Sequence, residues 1–257
     1  MSQISATFVR VMKELLRDKV LIFWSVVFPI IWLLMASFVF LSSAPEDEAA
    51  PLKAAFTVSM ITYAIIIAGI VDLPGNIASD RSRGMLSKLR SIPVKQLDDF
   101  LGRIFAFLVF STIAIILVLI IGTLLGARFS MDMVSVLQSA AFIVLAILAS
   151  CGIGLIIGTV IKGEQGAVYT GIAIALITSF AAGIFSLYSQ LPSPLQFFSR
   201  IYPISSANSS LIFLLVGEDT AGYNPLLVGQ LAYTIFSSLV LYIVGLAIYV
   251  KFSWRKE

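Results

Sequence analysis

Uncharged apolar runs follow one another along almost the whole chain, and short charged segments separate them. A helix needs about 20 mostly apolar residues to cross a hydrocarbon layer of roughly 30 Å. Six runs reach this length, so the pattern predicts an all-α integral membrane protein with six transmembrane helices in a single domain over residues 1–257. The first span is predicted at 20–42, and the second runs from about 54 to an interruption at Asp72, Pro74 and Gly75. The third lies between Arg103 and Arg128 and the fourth between Asp132 and Lys162. The fifth and sixth are predicted at 165–188 and 225–250.

Residues 3–19 predict an amphipathic helix at the membrane surface. Phe8, Val11, Met12 and Leu15 share one face of this helix, and charged side chains occupy the other face. Such a helix lies in the interface, with its apolar side in the acyl boundary and its basic groups toward anionic headgroups.

Residues 191–218 predict a re-entrant hairpin before the last span. The part at 204–217 is apolar enough for a seventh span, but it is short and a seventh span would place the basic tail outside. At the other end of the chain, Ser42, Ser43 and Ala44 resemble a signal-peptide cleavage site. The preceding apolar run is too long for a signal peptide and Pro45 follows directly, so we expect a retained span.

Basic residues collect on one side of the predicted spans. The N-terminal segment, the link between spans 2 and 3, Lys162 and the C-terminal tail hold 14 of the 17 Lys and Arg residues. Because Lys and Arg are enriched in cytoplasmic segments, both termini are predicted in the cytoplasm of an inner or plasma membrane. The segment 43–53 is then an outer loop, and the hairpin is extracytoplasmic.

Composition excludes several classes of function. The chain has no histidine, which removes catalytic triads and metal sites built on that residue. A single cysteine, Cys151, allows no internal disulfide, and no GxxxxGK[ST] motif is present to hold ATP phosphates. The net charge of +3 is not clustered as nucleic-acid binding requires. We therefore expect no catalytic, metal or cofactor site in this chain and no nucleic-acid partner.

The link between spans 2 and 3 carries the most informative pattern. Met85, Leu86, Leu89 and Ile92 recur at helical spacing within the basic coupling loop 79–99, which predicts a short exposed helix with an apolar ridge. One hypothesis is a docking helix for a protein groove. The alternative is a loop whose charge only fixes topology.

This link resembles that of the permease family of ABC type-2 exporters. Its members show an acidic and basic pair, a glycine, a leucine-rich turn and a proline here, and the chain matches them, with Asp80 where Glu is more frequent. The resemblance implies that a separate ABC ATPase subunit binds ATP and Mg. It also implies that a second permease subunit completes a homo- or heterodimer in the lipid bilayer. The coupling loop 79–99 would then transmit closure of the ATPase to the transmembrane helices. The implied ATPase-coupling residues are Asp80, Arg81, Arg83, Gly84, Leu86, Lys88, Leu89, Arg90 and Pro93.

Asp72 is the candidate for an intramembrane polar site. An ionised carboxylate inside an apolar run is costly unless it is solvated or paired, and such residues are functional candidates. The alternative is that Asp72 caps a turn beginning at Pro74 and Gly75. Pairs of small residues predict close helix packing, within the subunit or across a dimer; they are Gly122 and Gly126, Gly154 and Gly158, and Gly171 and Ala175.

The expected function is the transmembrane subunit of an ATP-driven exporter that forms half of the translocation path. The chain would have no ATPase site of its own, and its mostly apolar and aromatic spans favour a lipophilic, drug-like or lipid cargo. The alternative is a secondary transporter or channel that works without an ATPase partner.

Overall fold

The computed structural model describes residues 3–84, 96–130 and 132–252, and every regular element within these ranges is helical. Two single turns, Tyr188–Gln190 and Glu218–Ala221, join longer helices. The longer helices are α1 Gln3–Leu15, α2 Lys19–Phe40, α3 Glu46–Ser82, α4 Gln96–Leu124, α5 Met133–Val160, α6 Glu164–Ala181, α7 Ser193–Ile201, α8 Pro203–Leu215 and α9 Val228–Phe252.

Five helices in this part of the chain are long and apolar enough to cross a membrane: α2, α3, α4, α5 and α9. The predicted all-α membrane class is confirmed. The predicted fifth span corresponds to α6, which ends at Ala181 and has 18 residues, or about 27 Å of helix. Its first turn contains Glu164 and Gln165, so α6 does not belong to this apolar set and the sixth crossing remains a prediction.

Helix α3 corrects two of the expectations. It runs without interruption for 37 residues, through Asp72, Pro74 and Gly75, and its first turns take up most of the predicted outer loop 43–53. Proline lacks an N–H donor and its ring crowds the preceding turn. A π-helical segment, Ile67–Asp72, comes directly before Pro74 and widens the helix there, so the chain passes the proline without a break.

Helix α3 is also the centre of the bundle. Its apolar stretch is entirely buried inside the protein, and it contacts α4, α5, α6 and α8. Helix α9 packs mainly along α5 and is the most exposed of the five apolar helices. The spans α2, α4 and α5 therefore pack against α3, whereas α9 is positioned by α5.

Small residues make these contacts possible. A Cβ atom on Gly154 of α5 would lie 1.9 Å from the carbonyl oxygen of Gly69 in α3, and one on Gly171 of α6 would lie 2.3 Å from the carbonyl oxygen of Ile70. Gly122 and Gly158 also lie close to α3, against the side chain of Thr57 and the Cα atom of Pro74. The packing role predicted for these glycines is thus seen within one subunit. Gly126 differs, because its φ of +96° places it in the turn that follows α4.

Helices α7 and α8 form the hairpin that precedes α9. Tyr188 and Tyr223 flank it on either side in the sequence, and their rings are 4.7 Å apart, so the chain returns to the place where it entered. Arg200 stacks on both rings, at 5.5 and 4.6 Å from their centroids. Within α8, Asn208 bonds to Thr62 of α3 at 2.7 Å, which fixes the hairpin against the central helix. Whether the hairpin is extracytoplasmic remains a prediction.

We predict that Gly154→Ala destabilises the protein by about 1–3 kcal/mol, because the new methyl group would overlap backbone that has little room to move. Thermal unfolding of the detergent-purified protein measures the effect. The control is Gly229→Ala in α9, where an added Cβ meets nothing within 4 Å. Equal unfolding temperatures for the two variants would contradict the close α3–α5 contact.

Candidate functional site

Helix α1 lies against the start of α4 and beside the end of α3, and these two helix ends border residues 83–95. A Cβ atom on Gly102 of α4 would lie only 2.5 Å from the carbonyl oxygen of Ile4, so α1 and α4 are in close backbone contact. Val11 and Leu15 of α1 are buried within the protein core. The predicted amphipathic helix is present, but it packs this part of its apolar face on protein, where we had expected lipid.

A group of polar side chains closes this three-helix junction. Arg10 of α1 donates two hydrogen bonds to Asp80 of α3, at 2.8 and 3.0 Å. Arg103 of α4 donates to the same carboxylate at 2.7 Å and to Asp99 at 3.3 Å. Arg103 also donates to the side-chain oxygen of Asn76 in α3. We call these five residues the junction cluster.

Two further side chains of α1 extend the junction cluster. Thr7 donates to Asp99 at 3.2 Å, and Glu14 accepts from the Asn76 amide at 2.8 Å. Each of the three helices thus contributes at least two polar partners. The geometry holds α1, α3 and α4 at a fixed relative position on both sides of the 83–95 segment.

Three charged side chains of the junction cluster are buried, so each of them needs its partner. The side chains of Arg103 and Asp99 are fully buried and that of Asp80 is 6% exposed. A buried charge is tolerated only when it is paired and hydrogen-bonded, and removal of one partner leaves an uncompensated charge. The three helix ends must therefore stay together or separate at a large cost in free energy.

Four of the nine residues predicted to couple to an ATPase lie in the described part of the chain, and they take three kinds of position. Asp80 points inward, because Arg10 and Arg103 occupy its carboxylate, so it does not present an acidic group to a partner. Arg81 donates to the carbonyl oxygen of Thr159 at the end of α5, at 3.1 Å. The remaining described residues, Arg83 and Gly84, lie at the surface.

Arg83 is 68% exposed and lies 3.9 Å from Glu164 at the start of α6. Gly84 has a φ of +68°, which ends α3 in a left-handed turn. The other predicted coupling residues lie outside the described part of the chain; they are Leu86, Lys88, Leu89, Arg90 and Pro93. Through Arg81 and Arg83, the end of α5 and the start of α6 meet the end of α3 beside residues 83–95.

Sequence reasoning missed most of the junction cluster. The sequence pattern uses Arg10 and Arg103 to orient the chain and Arg103 to bound the third span, and it does not single out Asn76 or Asp99. One local signal was available, because Asp99 and Arg103 are four residues apart and form a helical ion pair. The pairing of Arg10 with Asp80 spans 70 positions, and no local pattern reveals it.

Asp72 lies inside α3 and does not cap the turn at Pro74 and Gly75. It has helical backbone angles and makes no capping hydrogen bond, so the capping interpretation is wrong. The residue is only 9% exposed, and its Oδ2 atom finds no hydrogen-bond partner among the described residues. It lies in the wall of a cavity of about 380 Å³ bordered by α1, α2, α3 and α6.

Comparison with known families decides the class of the protein. The family model for the ABC-2 type transporter matches residues 2–216, which include α1 to α8 and the whole junction cluster. The chain belongs to the ABC-2 type transporter family. Comparison with individual curated proteins finds no match.

This membership confirms the resemblance drawn from the coupling loop. ABC-2 membrane domains are the permease components of ABC transporters, and they work in a bilayer together with an ABC ATPase. The chain is thus a multi-pass permease component, and its junction cluster lies in the matched region.

We predict that Arg103→Met destabilises the protein by about 3–5 kcal/mol, because Asp99 and Asp80 would lose a buried partner. Arg103→Lys should fall between this variant and the wild type, since it keeps the charge but loses the paired donors. Thermal unfolding in detergent gives the comparison. Arg83→Met is the control, because its exposed pair contributes little. A similar small change for Arg103→Met and Arg83→Met would contradict the structural role of the cluster.

Proposed function

We propose that this chain is the transmembrane subunit of an ATP-driven exporter, forms half of the translocation path, and couples to a separate ATPase subunit. The observation that carries the proposal is the junction cluster. It joins α1 to the two helix ends on either side of the predicted coupling loop. A load applied to that loop would reach three helices at once.

The central helix provides the route from the loop into the membrane. Helix α3 begins at the opposite end of the bundle and continues to Ser82, a length of about 55 Å. Because Asp80 is held by two arginines, a displacement at the end of α3 would move α1 and α4 with it. Arg81 and Arg83 extend the same effect to the ends of α5 and α6.

The contact with the ATPase is assigned to the apolar ridge of the loop. Leu86 and Leu89 would enter a cleft on the ATPase, and Lys88 and Arg90 would meet its polar rim. This division of roles agrees with the inward position of Asp80. Its carboxylate binds Arg10 and Arg103, so the contact with the ATPase would be made by the ridge. ATP and Mg would bind to the partner chain alone.

The proposed cargo is lipophilic, drug-like or lipid. Asp72 is the only charged residue within 54–79 of α3, and the stretches 104–124 of α4, 133–160 of α5 and 165–181 of α6 contain none. An aromatic group fills the contact of α2 with α3 and the turn after α6, where Phe185 lies 4.9 Å from Trp32 and 5.1 Å from Tyr63 between ring centroids. We base the cargo class on this apolar and aromatic character, which favours apolar molecules over sugars or small ions.

We predict that an ABC ATPase subunit copurifies with the wild-type chain and is lost from the Leu86→Glu/Leu89→Glu double variant. Two carboxylates on the ridge would have to be desolvated in an apolar cleft. The matched control is Leu227→Glu, an exposed leucine before α9 at the other end of the bundle. Affinity purification from detergent extracts, followed by mass spectrometry, measures the partner. Transport of cargo by the chain without any ATPase would favour the secondary transporter instead.

Orientation in the membrane gives a second prediction. In a Cys151→Ser background, Arg83→Cys should react with a membrane-impermeant maleimide only after the cells are permeabilised. Glu48→Cys should react in intact cells, because it is exposed near the start of α3 at the other end of the bundle. Labelling of Arg83→Cys in intact cells would place the coupling loop outside and contradict the proposed function.

A further inference from the structure

The cavity that Asp72 lines lies beside the bend between α1 and α2. Glu14, Arg17 and Asp18 of this bend border the cavity, and Arg83 and Glu164 lie on another side. Another part of the wall is mostly apolar. It is formed by Leu21, Trp24, Val71, Val168 and Ile172, together with Asp72.

Four carboxylates line this cavity, and three of them have partners. Glu14 accepts from Asn76 at 2.8 Å, and Asp18 accepts from the backbone N–H groups of Val20 and Leu21. Glu164 lies 3.9 Å from Arg83.

Asp72 is the exception. Its side chain is about nine-tenths buried, and its Oδ2 atom has no hydrogen-bond partner in the part of the chain that the structure describes. A buried polar atom without a partner costs free energy. A positively charged group in the cavity would remove that cost.

The chemistry of the wall narrows the class of cation. A metal ion needs several close oxygen, nitrogen or sulfur ligands. In the described ranges, no group of three or more His, Cys, Asp or Glu side chains lies close enough together to hold one. Asp72 is the one carboxylate of the wall that has no partner among the described residues, and the aromatic Trp24 and several aliphatic side chains line the same cavity. Aromatic rings attract organic cations, and aliphatic side chains bind their apolar parts.

The size of the cavity agrees with this class. Pockets for small organic ligands measure about 300–1,000 Å³. A volume of about 380 Å³ accepts a molecule with a few rings or a branched alkyl group around one cationic centre. We propose that the cavity binds a lipophilic organic cation whose positive centre pairs with Asp72. That this cation is the transported cargo, or an analogue of it, rests on the exporter function proposed above.

Binding to the purified full chain tests this site directly. The chain is reconstituted in phosphatidylcholine nanodiscs, and the probes are tetraphenylphosphonium and the anion tetraphenylborate, which have the same shape. We expect tetraphenylphosphonium to bind at least tenfold more tightly than tetraphenylborate. Asp72→Asn should weaken cation binding at least tenfold and leave anion binding unchanged or stronger.

Asp132→Asn is the control variant. Asp132 caps α5 through the Ser135 N–H and lies outside the cavity, and asparagine caps a helix about as well as aspartate. It should bind the cation like the wild type. Equal cation binding by wild type and Asp72→Asn would overturn the proposal. Equal binding of the two probes by the wild type would do the same, and it needs no folded variant.

These experiments distinguish a failure of the cation site from a failure of the proposed exporter function. Nanodisc binding requires neither ATP nor the ATPase subunit, so loss of copurification leaves the cation site untouched. Conversely, a chain that retains its ATPase partner but shows no preference for the cation would keep the exporter function and lose this site.

Discussion

The buried pairing of Arg103 with Asp80 and Asp99 is the interaction on which the arrangement of the helix ends depends. These side chains lie out of water on three different turns of α3 and α4, and Arg10 joins Asp80 from α1. Separation of the helices would leave charges without partners in a medium of low dielectric constant. The ends that border the coupling loop therefore act as one unit.

Helix α3 connects this unit to the rest of the protein. Its π-helical segment carries it past Pro74, and the close approach of Gly154 and Gly171 fixes α5 and α6 on that same segment. Asp72 lies within the segment, one turn before Asn76. Asn76 both lines the cavity and bonds to Arg103 and Glu14, so the proposed cation site and the junction cluster share a side chain.

The candidate site was only partly predictable. The basic loop and its predicted apolar ridge followed from local spacing, because periodicity is a local property, and Asp80 was singled out by the resemblance to the permease family. The inward direction of Asp80 did not, since its partner Arg10 lies 70 positions away. Asp72 was identified as unusual from its charge in an apolar run. Its position inside a continuous helix could not be predicted from the sequence, because it depends on how the backbone passes Pro74.

The sequence by itself determined the all-α membrane class, the five longest apolar helices, the amphipathic first helix and the family, since hydropathy and short motifs carry this information along the chain. Tertiary structure alone decided which charges pair, that α3 continues through its proline, and that Asp72 faces a cavity. These features arise where helices distant in sequence meet. Pairing and burial there depend on three-dimensional distance, which the order of residues does not state.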